Sequence, residues 1–353
     1  MRNLVAGLLA LTATLFTAAV FGQTYPSKPI RIVVPFPAGS LADGLARLIG
    51  PQLAERLGQP VVVQNKVGAE GSLGAAEVAK ASADGYTLLL IGVGTLVVRP
   101  LLYKNVSYHP FKSFEPLSLL GNSPQILAAV TNFAPSTVTE LVAFAKANPG
   151  KVAYGSVGTG LSGDLNAVSL ANRTGIDIVH VRIGMTPYLN SLSLPYKGSA
   201  PTMTDMIDGH VNIAFASAPL ALPHVKAGRI KALAVGSARR IPQLPNTPTV
   251  AETLPGFTAA SALGILAPAG TPKEIRVRLH GELMKALADP EVRGKLSAQA
   301  FEVGGSTQEE FLALMRAESD KLAKVIRDNQ IRVEQQSTTA PLRSTFRLWT
   351  VAI

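Results

Sequence analysis

The chain of 353 residues contains no cysteine. That excludes a disulfide framework, a thiol nucleophile and a thiolate metal site. Aromatic residues are sparse at 6%, and charged residues make up only 16%. The net charge is +10, yet Lys and Arg are scattered, as at Lys226, Arg229, Arg239 and Arg240, and no basic cluster is interleaved with aromatics. Nucleic acid is therefore not expected as a partner, although a positive body steers anionic solutes mildly at low salt. The five histidines, at 109, 180, 210, 224 and 280, show no H-E-x-x-H or paired spacing. Each reads as a surface or packing residue and not as a metal ligand. No G-x-S-x-G elbow exists, because Gly155-Ser156-Val157-Gly158 has the wrong spacing, and no Walker lysine loop is present. Ser156 as a nucleophile would need a base that the sequence does not designate. Beyond residue 21 no segment is apolar for long enough to span a bilayer.

What is present is a globular composition, 47% hydrophobic, on a chain long enough for two cores. It opens with "MRNLVAGLLALTATLFTAAVFGQ": a positive residue, an apolar stretch from Leu4 to Phe21, then small residues at Gly22-Gln23. This layout predicts a secretory signal peptide over 1–22 and a soluble, exported protein. The competing reading, a membrane anchor, needs a longer span.

After residue 23 the pattern alternates strand and helix. "KPIRIVVPF" is Val/Ile-rich, and "DGLARLIGPQLAERLG" carries Leu45, Leu48, Ile49, Leu53 and Leu57 at helical spacing. "PVVVQN", the loop "KVGAEGSLG", the helix "AAEVAKASA" and the strand "YTLLLIG" follow. A second series repeats the plan: "KVAYGSV", "DLNAVSLANR", "IDIVHV", "PYKGSAP", "TMTDMID" and "VNIAFAS". Each series is a β-α-β-α-β unit, which implies a parallel sheet covered by helices. The strands "RIKALAVGS" and "FTAASALGILAP" and three amphipathic helices complete the first unit, the last helix opened by a capping box at Thr307 and Glu310. Crossings near "LSLLGNSP" and "LAVGSARR" then join two lobes, and the interlobe cleft is the default ligand site.

The stretch "YGSVGTGLSGDL" holds Gly158-Thr159-Gly160-Leu161-Ser162-Gly163, which satisfies G-x-G-x-x-G. A dinucleotide loop also needs an acid at the carboxyl end of the next strand, to hold the ribose. Asp177 has the right offset but begins "IDIVHV" instead of ending it. Two readings stay open. The glycines shape a tight turn only, or the helix N-terminus that follows, with the hydroxyls of Ser156, Thr159 and Ser162, receives a small anion such as a carboxylate.

The segments "YPSKPIRIVVPFPAGSLADGLAR" (25–47), "LGQPVVVQNKVGAEGSLGAAEVAKASADGYTLLL" (57–90), "PLLYKNVSYHPFKSFEPLSLL" (100–120), "PYKGSAP" (195–201), "LPHVKAGRIKALAV" (222–235) and "PNTPTVAETLPGF" (245–257) resemble, in order, the substrate-binding receptors of tripartite tricarboxylate transporters, the Bug-type receptors. The resemblance runs from about residue 25 to about 334. It implies an α/β fold like the type II periplasmic binding proteins, a periplasmic location, no enzymatic activity and no cofactor or metal. Its partners would be a small organic acid and a membrane permease, and the receptor would be a monomer. The implied units are lobe 1 over 23–121 and 237–334, lobe 2 over 122–236, and a tail over 335–353. By matching position the ligand would meet Phe36, Ala38, Gly39, Ser40 and Asp43 in the first lobe, with helix capping an alternative role for Asp43. Gly94 and Thr95 would join them from the third strand end. The second lobe would offer Ser156, Gly158, Gly160, Ser162, Tyr196, Ala200, Pro201 and Ser217. Lys197 is either a ligand neighbour or a plain surface charge.

Three departures stand out. Leu41 and Ala42 replace small hydroxyl residues of the family's "PAGGSTD" run, which makes the pocket more apolar. Ala216 stands where the family commonly has Asp, which removes a counter-charge for an amine. The segment 182–194 intervenes before "PYKG" and is a lid, a neutral loop or a disabling insertion. Two other classes remain to be weighed: a nicotinamide-dependent oxidoreductase, and a sensor of the same fold.

Overall fold

The computed structural model describes residues 25–156, 158, 160–182, 200–329 and 331. The signal segment, Tyr196, all but the first residue of the 182–194 segment, and the 335–353 tail lie outside the described residues.

The first series forms β1 (Ile30–Val34), α1 (Leu41–Leu57), β2 (Val61–Asn65), α2 (Ser72–Ala79), β3 (Thr87–Gly92) and α3 (Val93–Leu102). A 17-residue strand, β4 (Phe114–Val130), follows. The second series is α4 (Val138–Ala147), β5 (Val152–Ser156), α5 (Ser162–Thr174), β6 (Ile178–Arg182), α6 (Ala200–Ile207), β7 (Ile213–Ser217), α7 (Ala218–Lys226) and β8 (Ile230–Val235). The chain closes with α8 (Val250–Thr253), β9 (Ala260–Pro268), α9 (Lys273–Ala288), α10 (Pro290–Ala298), β10 (Glu302–Val303) and α11 (Gln308–Asp328). The capping box expected at Thr307 and Glu310 opens α11 with both of its bonds made.

The strand order is β2-β1-β3-β9-β4-β7-β5-β6, with β8 and β10 also paired to β4. β1 runs parallel to β2 and β3, and β5 runs parallel to β6 and β7. β4 ties the two groups together. Its Phe114–Pro124 portion pairs antiparallel with β9, and from Gln125 onward it pairs with β7, with β8 joining from Ile126. The return crossing lies between β8 and β9. The fold is thus a mixed α/β fold of two lobes joined by two crossings.

Alternation along the strands explains why the first lobe has a core on each sheet face. Ile30, Ile32 and Val34 point one way and pack with Leu45, Ile49 and Leu53 of α1. Val33 points the other way and packs with Leu89, Ile91, Leu96 and, from α11, Phe311 and Met315. Full burial of each such side chain is worth roughly 1.5–3 kcal/mol. The second lobe has one cluster, built on Ile126–Val130, Val152, Leu170, Met206, Ile213 and Leu233. Ile241, Val250, Phe257 and Ala259 belong to that cluster, although they follow the second crossing in sequence.

Candidate ligand-binding site

Because β1 and β3 are parallel, the loops at their carboxyl ends emerge on one edge. The loop before α2 joins them. A Cβ built on Gly71 would lie 3.4 Å from Thr95 Cγ2, 3.5 Å from Phe36 Cζ and 3.6 Å from Pro35 Cβ. Phe36, Gly94 and Thr95 are half-buried there, whereas Ala38 and Gly39 are exposed. Ser40 caps α1, its hydroxyl accepting from Asp43 N at 3.3 Å. Asp43 is buried, and its carboxylate accepts from Gly39 N at 2.9 Å, Arg47 Nε at 3.0 Å and Asn65 Nδ2 at 2.9 Å. Burial alone would raise its pKa, but the bonds from Arg47, Gly39 and Asn65 outweigh that and hold it below the usual value. The Asp43 carboxylate and the Gly39 amide are therefore engaged within the loop, next to the first turn of α1, whose leading N–H groups have no partner in the helix.

The second lobe uses a similar device. Asp164, in the first turn of α5, accepts from Gly160 N at 2.7 Å and from the Tyr154 hydroxyl at 2.8 Å. Burial, with the neighbouring Asp164 charge and hydrogen bond, pushes the Tyr154 pKa far up, so the phenol stays a donor. Gly160 has φ 79, in the left-handed region, where glycine carries no steric cost. His180 pairs in register with Tyr154 across β5 and β6, and their rings stack at 4.6 Å. Its Nε2 lies 2.7 Å from Ser156 Oγ, and its Nδ1 lies 3.5 Å from Asp164 Oδ1. His180 is thus a packing residue that also bonds Ser156. It is the base-type neighbour of Ser156, brought there from 24 positions along the chain by parallel strand pairing. Ser, His and Asp stand in the order of a hydrolytic triad, but Ser156 is only 3% exposed and the Asp164 oxygens are held by other donors. The array braces the glycine turn.

The two lobes meet on that turn. A Cβ on Gly158 would lie 2.6 Å from Glu70 Oε1, and one on Gly160 would collide with Leu102 of α3. Leu165 of α5 packs in the first-lobe cluster with Val93 and Leu96. Beneath them, Gln125 of β4 donates to the Ser162 hydroxyl at 2.7 Å and to the Ser261 hydroxyl at 3.2 Å, and accepts from Asn166 Nδ2 at 2.8 Å. Ser162 is thus tied to the crossing strand. Ser217 stands at the carboxyl end of β7 as the residue before α7, half-buried and without a side-chain cap bond. Ala200 and Pro201 open α6, and their side chains lie outside the described residues. Glu70, Arg99, Gln125, Asp164 and His180 were not singled out from the sequence. Asp164 alone had a local signal, since it follows Gly160 by four positions as Asp43 follows Gly39.

Asp177 precedes β6, with its carbonyl accepting from Gly150 N at 3.3 Å. It lies at the amino end of the strand, away from the glycine turn, so the ribose-binding acid of a dinucleotide site is not at this position. Among the described residues no group of three or more His, Asp or Glu is placed to hold a metal, and no helix is long and apolar enough to cross a membrane. A groove of about 490 Å³ lies elsewhere, on the outer face of α1 between Leu41, Leu48, Lys295 and Gln299.

A family model described as the tripartite tricarboxylate transporter family receptor matches residues 45–331. The chain belongs to this receptor family. Relatives support the Bug-type assignment. A UPF0065 protein from the tcbD-tcbE intergenic region of Pseudomonas sp. (strain P51) is 35% identical, covering 95% of this chain and 96% of its own. Protein BugT of Bordetella pertussis is 33% identical, covering 94% and 98%. Among solved structures, the periplasmic binding protein BugD is 32% identical with a TM-score of 0.77, covering 87% of this chain and 99% of its own. An R. palustris protein solved with adipate has 32% identity and a TM-score of 0.79, with the same coverage. MatC from Rhodopseudomonas palustris, solved with bound malate, has 28% identity and a TM-score of 0.76, covering 86% and 100%. These are solute-binding proteins. The family member described here is likewise a solute-binding receptor and not an enzyme, which removes the oxidoreductase reading.

Proposed function

We propose that the mature chain is a periplasmic receptor that captures a small organic carboxylate between its lobes and delivers it to a membrane permease of the tripartite tricarboxylate type. The observation that supports the reading is the contact between the loop that leads into α5 and the first lobe, where Gly158 faces Glu70 and Gly160 faces Leu102, while Gly71 beside Glu70 lies against Phe36 and Thr95. Backbone N–H groups and helix dipoles suit a carboxylate. The similarity to proteins solved with adipate and malate points to the same ligand class. The Arg2-led apolar stretch supports export and removal of residues 1–22.

In this reading Phe36, Ser40, Gly94, Thr95, Gly158 and Ser217 border the ligand, while Asp43, Ser156, Asp164 and His180 hold the loops. The receptor works as a monomer. Residues 25–121 and 260–329 move as one body and the described residues of 122–236 as the other, with 237–259 riding on the second because its apolar residues pack there. A thermal-shift screen of the mature chain against mono-, di- and tricarboxylates tests the capture step. A ligand at 100 times its Kd adds about 2.7 kcal/mol of stability. Thr95→Val, which removes a hydroxyl at constant shape, is expected to weaken the shift. If no carboxylate raises the melting temperature, the reading fails. Co-purification with the permease in the presence of the hit, and not without it, tests delivery and separates transport from sensing.

A further inference from the structure

Glu70 is held in an unusual way. It has φ 51 and ψ 40, a left-handed conformation that a residue with a long side chain seldom adopts. Ala69 before it has φ 45, so two successive non-glycine residues are forced into this region. Such backbone is retained where the surroundings over-determine it, and it clusters at ligand clamps. Here the surroundings fix the carboxylate. Oε2 is ion-paired with Nη1 of Arg99, whose side chain is only 7% exposed. Arg99 is itself pinned, by Nε to Ser72 Oγ at 3.1 Å and by stacking on the Tyr103 ring at 3.6 Å. The other oxygen, Oε1, is turned across the seam to Gly158. The adjoining Gly71 sits against Thr95 and Phe36. The chain's own carboxylate therefore lies between the first-lobe ligand loops and the second-lobe glycine turn.

We propose that Glu70 is a specificity determinant whose carboxylate occupies the space beside the second-lobe Gly158 turn, so that the cleft takes a monocarboxylate with a neutral far end and discriminates against dicarboxylates. The inference rests on the carboxylate-receptor reading above. A ligand spanning the lobes can place one carboxylate on the first-lobe helix starts. A second carboxylate, directed at the Gly158 turn, meets the half-buried Glu70 carboxylate, which Arg99 holds in place from its other oxygen and which the ligand would have to displace. A neutral or apolar end meets no such penalty.

The test is isothermal titration of the mature chain with linear monocarboxylates of four to eight carbons and the α,ω-dicarboxylates of matching length. For the wild type, the best monocarboxylate is expected to bind at least tenfold more tightly than its matching diacid. Glu70→Gly, which also suits the backbone conformation, is expected to shift that ratio at least tenfold toward the diacid, with Glu70→Gln in between. Since Glu70→Gly leaves Arg99 without this partner, Glu70→Gly with Arg99→Leu supplies a second background in which the shift toward the diacid should persist. A wild type that binds the diacid as tightly as its monoacid, or variants that leave the ratio within twofold, overturns this inference alone. Failure of every acid to bind the wild type overturns it together with the receptor reading.

Discussion

Removing the Asp164 carboxylate is the most direct way to test how the second-lobe loop is held. Asp164 and Tyr154 are 2% and 4% exposed, so the donors that Asp164 satisfies cannot turn to water. In Asp164→Ala, the Tyr154 hydroxyl and the Gly160 amide both lose their acceptor. A buried donor left unsatisfied costs about 1–3 kcal/mol, so two of them predict a loss of roughly 4 kcal/mol. Tyr154→Phe removes one of the two donors and should cost about 1 kcal/mol by itself. The double variant then strands only Gly160, so it should be more stable than the sum of the singles predicts, by about 1–2 kcal/mol. Urea unfolding of the mature chain, followed by circular dichroism, reads all four corners of this cycle. An Asp164→Ala loss under about 1 kcal/mol, or a coupling indistinguishable from zero, would refute the bracing role. The same variant should weaken carboxylate binding, because the glycine turn must then be ordered when the ligand arrives.

The Asp43 pKa is depressed in the folded state, so its stabilisation is full above the unfolded carboxylate value of about 4 and fades as pH falls through the lower folded value. Asp43→Asn should cost stability at pH 7 and flatten the acid limb of a stability-against-pH curve, and an unaltered limb would count against the assignment. Gly264→Ala would drive a methyl into the Phe311 ring and should destabilise by about 2–3 kcal/mol, measured by urea midpoint. Gly281→Ala, inside α9 with open space around it, should stabilise by about 0.5–1 kcal/mol in the same assay. Gln125→Ala should strand Asn166 Nδ2 and loosen the lobe junction, seen as a larger radius of gyration by small-angle scattering in the unliganded protein.

Much of this architecture was legible because its signals are local. The strands at 30–34 and 87–92 announce themselves by Val, Ile and Leu runs bounded by Pro and Gly, and α1 by leucines at helical spacing. β4 was not read as a strand. Its sequence, "FEPLSLLGNSPQILAAV", contains two prolines and a glycine, which argue for breaks, yet pairing with β9, β7 and β8 overrides them. The crossing near "LAVGSARR" places the lobe boundary at residue 237, while the packing of Ile241, Val250 and Phe257 is a tertiary matter that no local pattern carries. The bond between His180 and Ser156 is illegible for the same reason. Ser156 and Asp164 are remote from His180 in sequence, and only the parallel register of β5 and β6 brings them together. Glu70 lies in the loop "KVGAEGSLG", and nothing local reveals that its side chain crosses to the other lobe.

The two loops are built alike but not balanced alike, and the difference bears on the ligand. Gly39 and Gly160 have φ 81 and 79, and each donates its amide to an aspartate four positions on, at 2.9 and 2.7 Å. Each aspartate is 2% exposed. A loop fixed in this way presents its remaining amides without further ordering, which spares the ligand that entropy cost. In the first lobe Arg47 sits on Asp43 and offsets its charge. In the second lobe Asp164 is met by a phenol, a backbone amide and, at 3.5 Å, the His180 ring, with no Arg or Lys within ion-pair distance of it among the described residues. An anion is thus better tolerated at the first-lobe helix start than at the second, where Glu70, paired with Arg99, also sets its carboxylate against Gly158. Both features bias the seam in one direction, toward a ligand that enters the first lobe with its charge and the second with its neutral end.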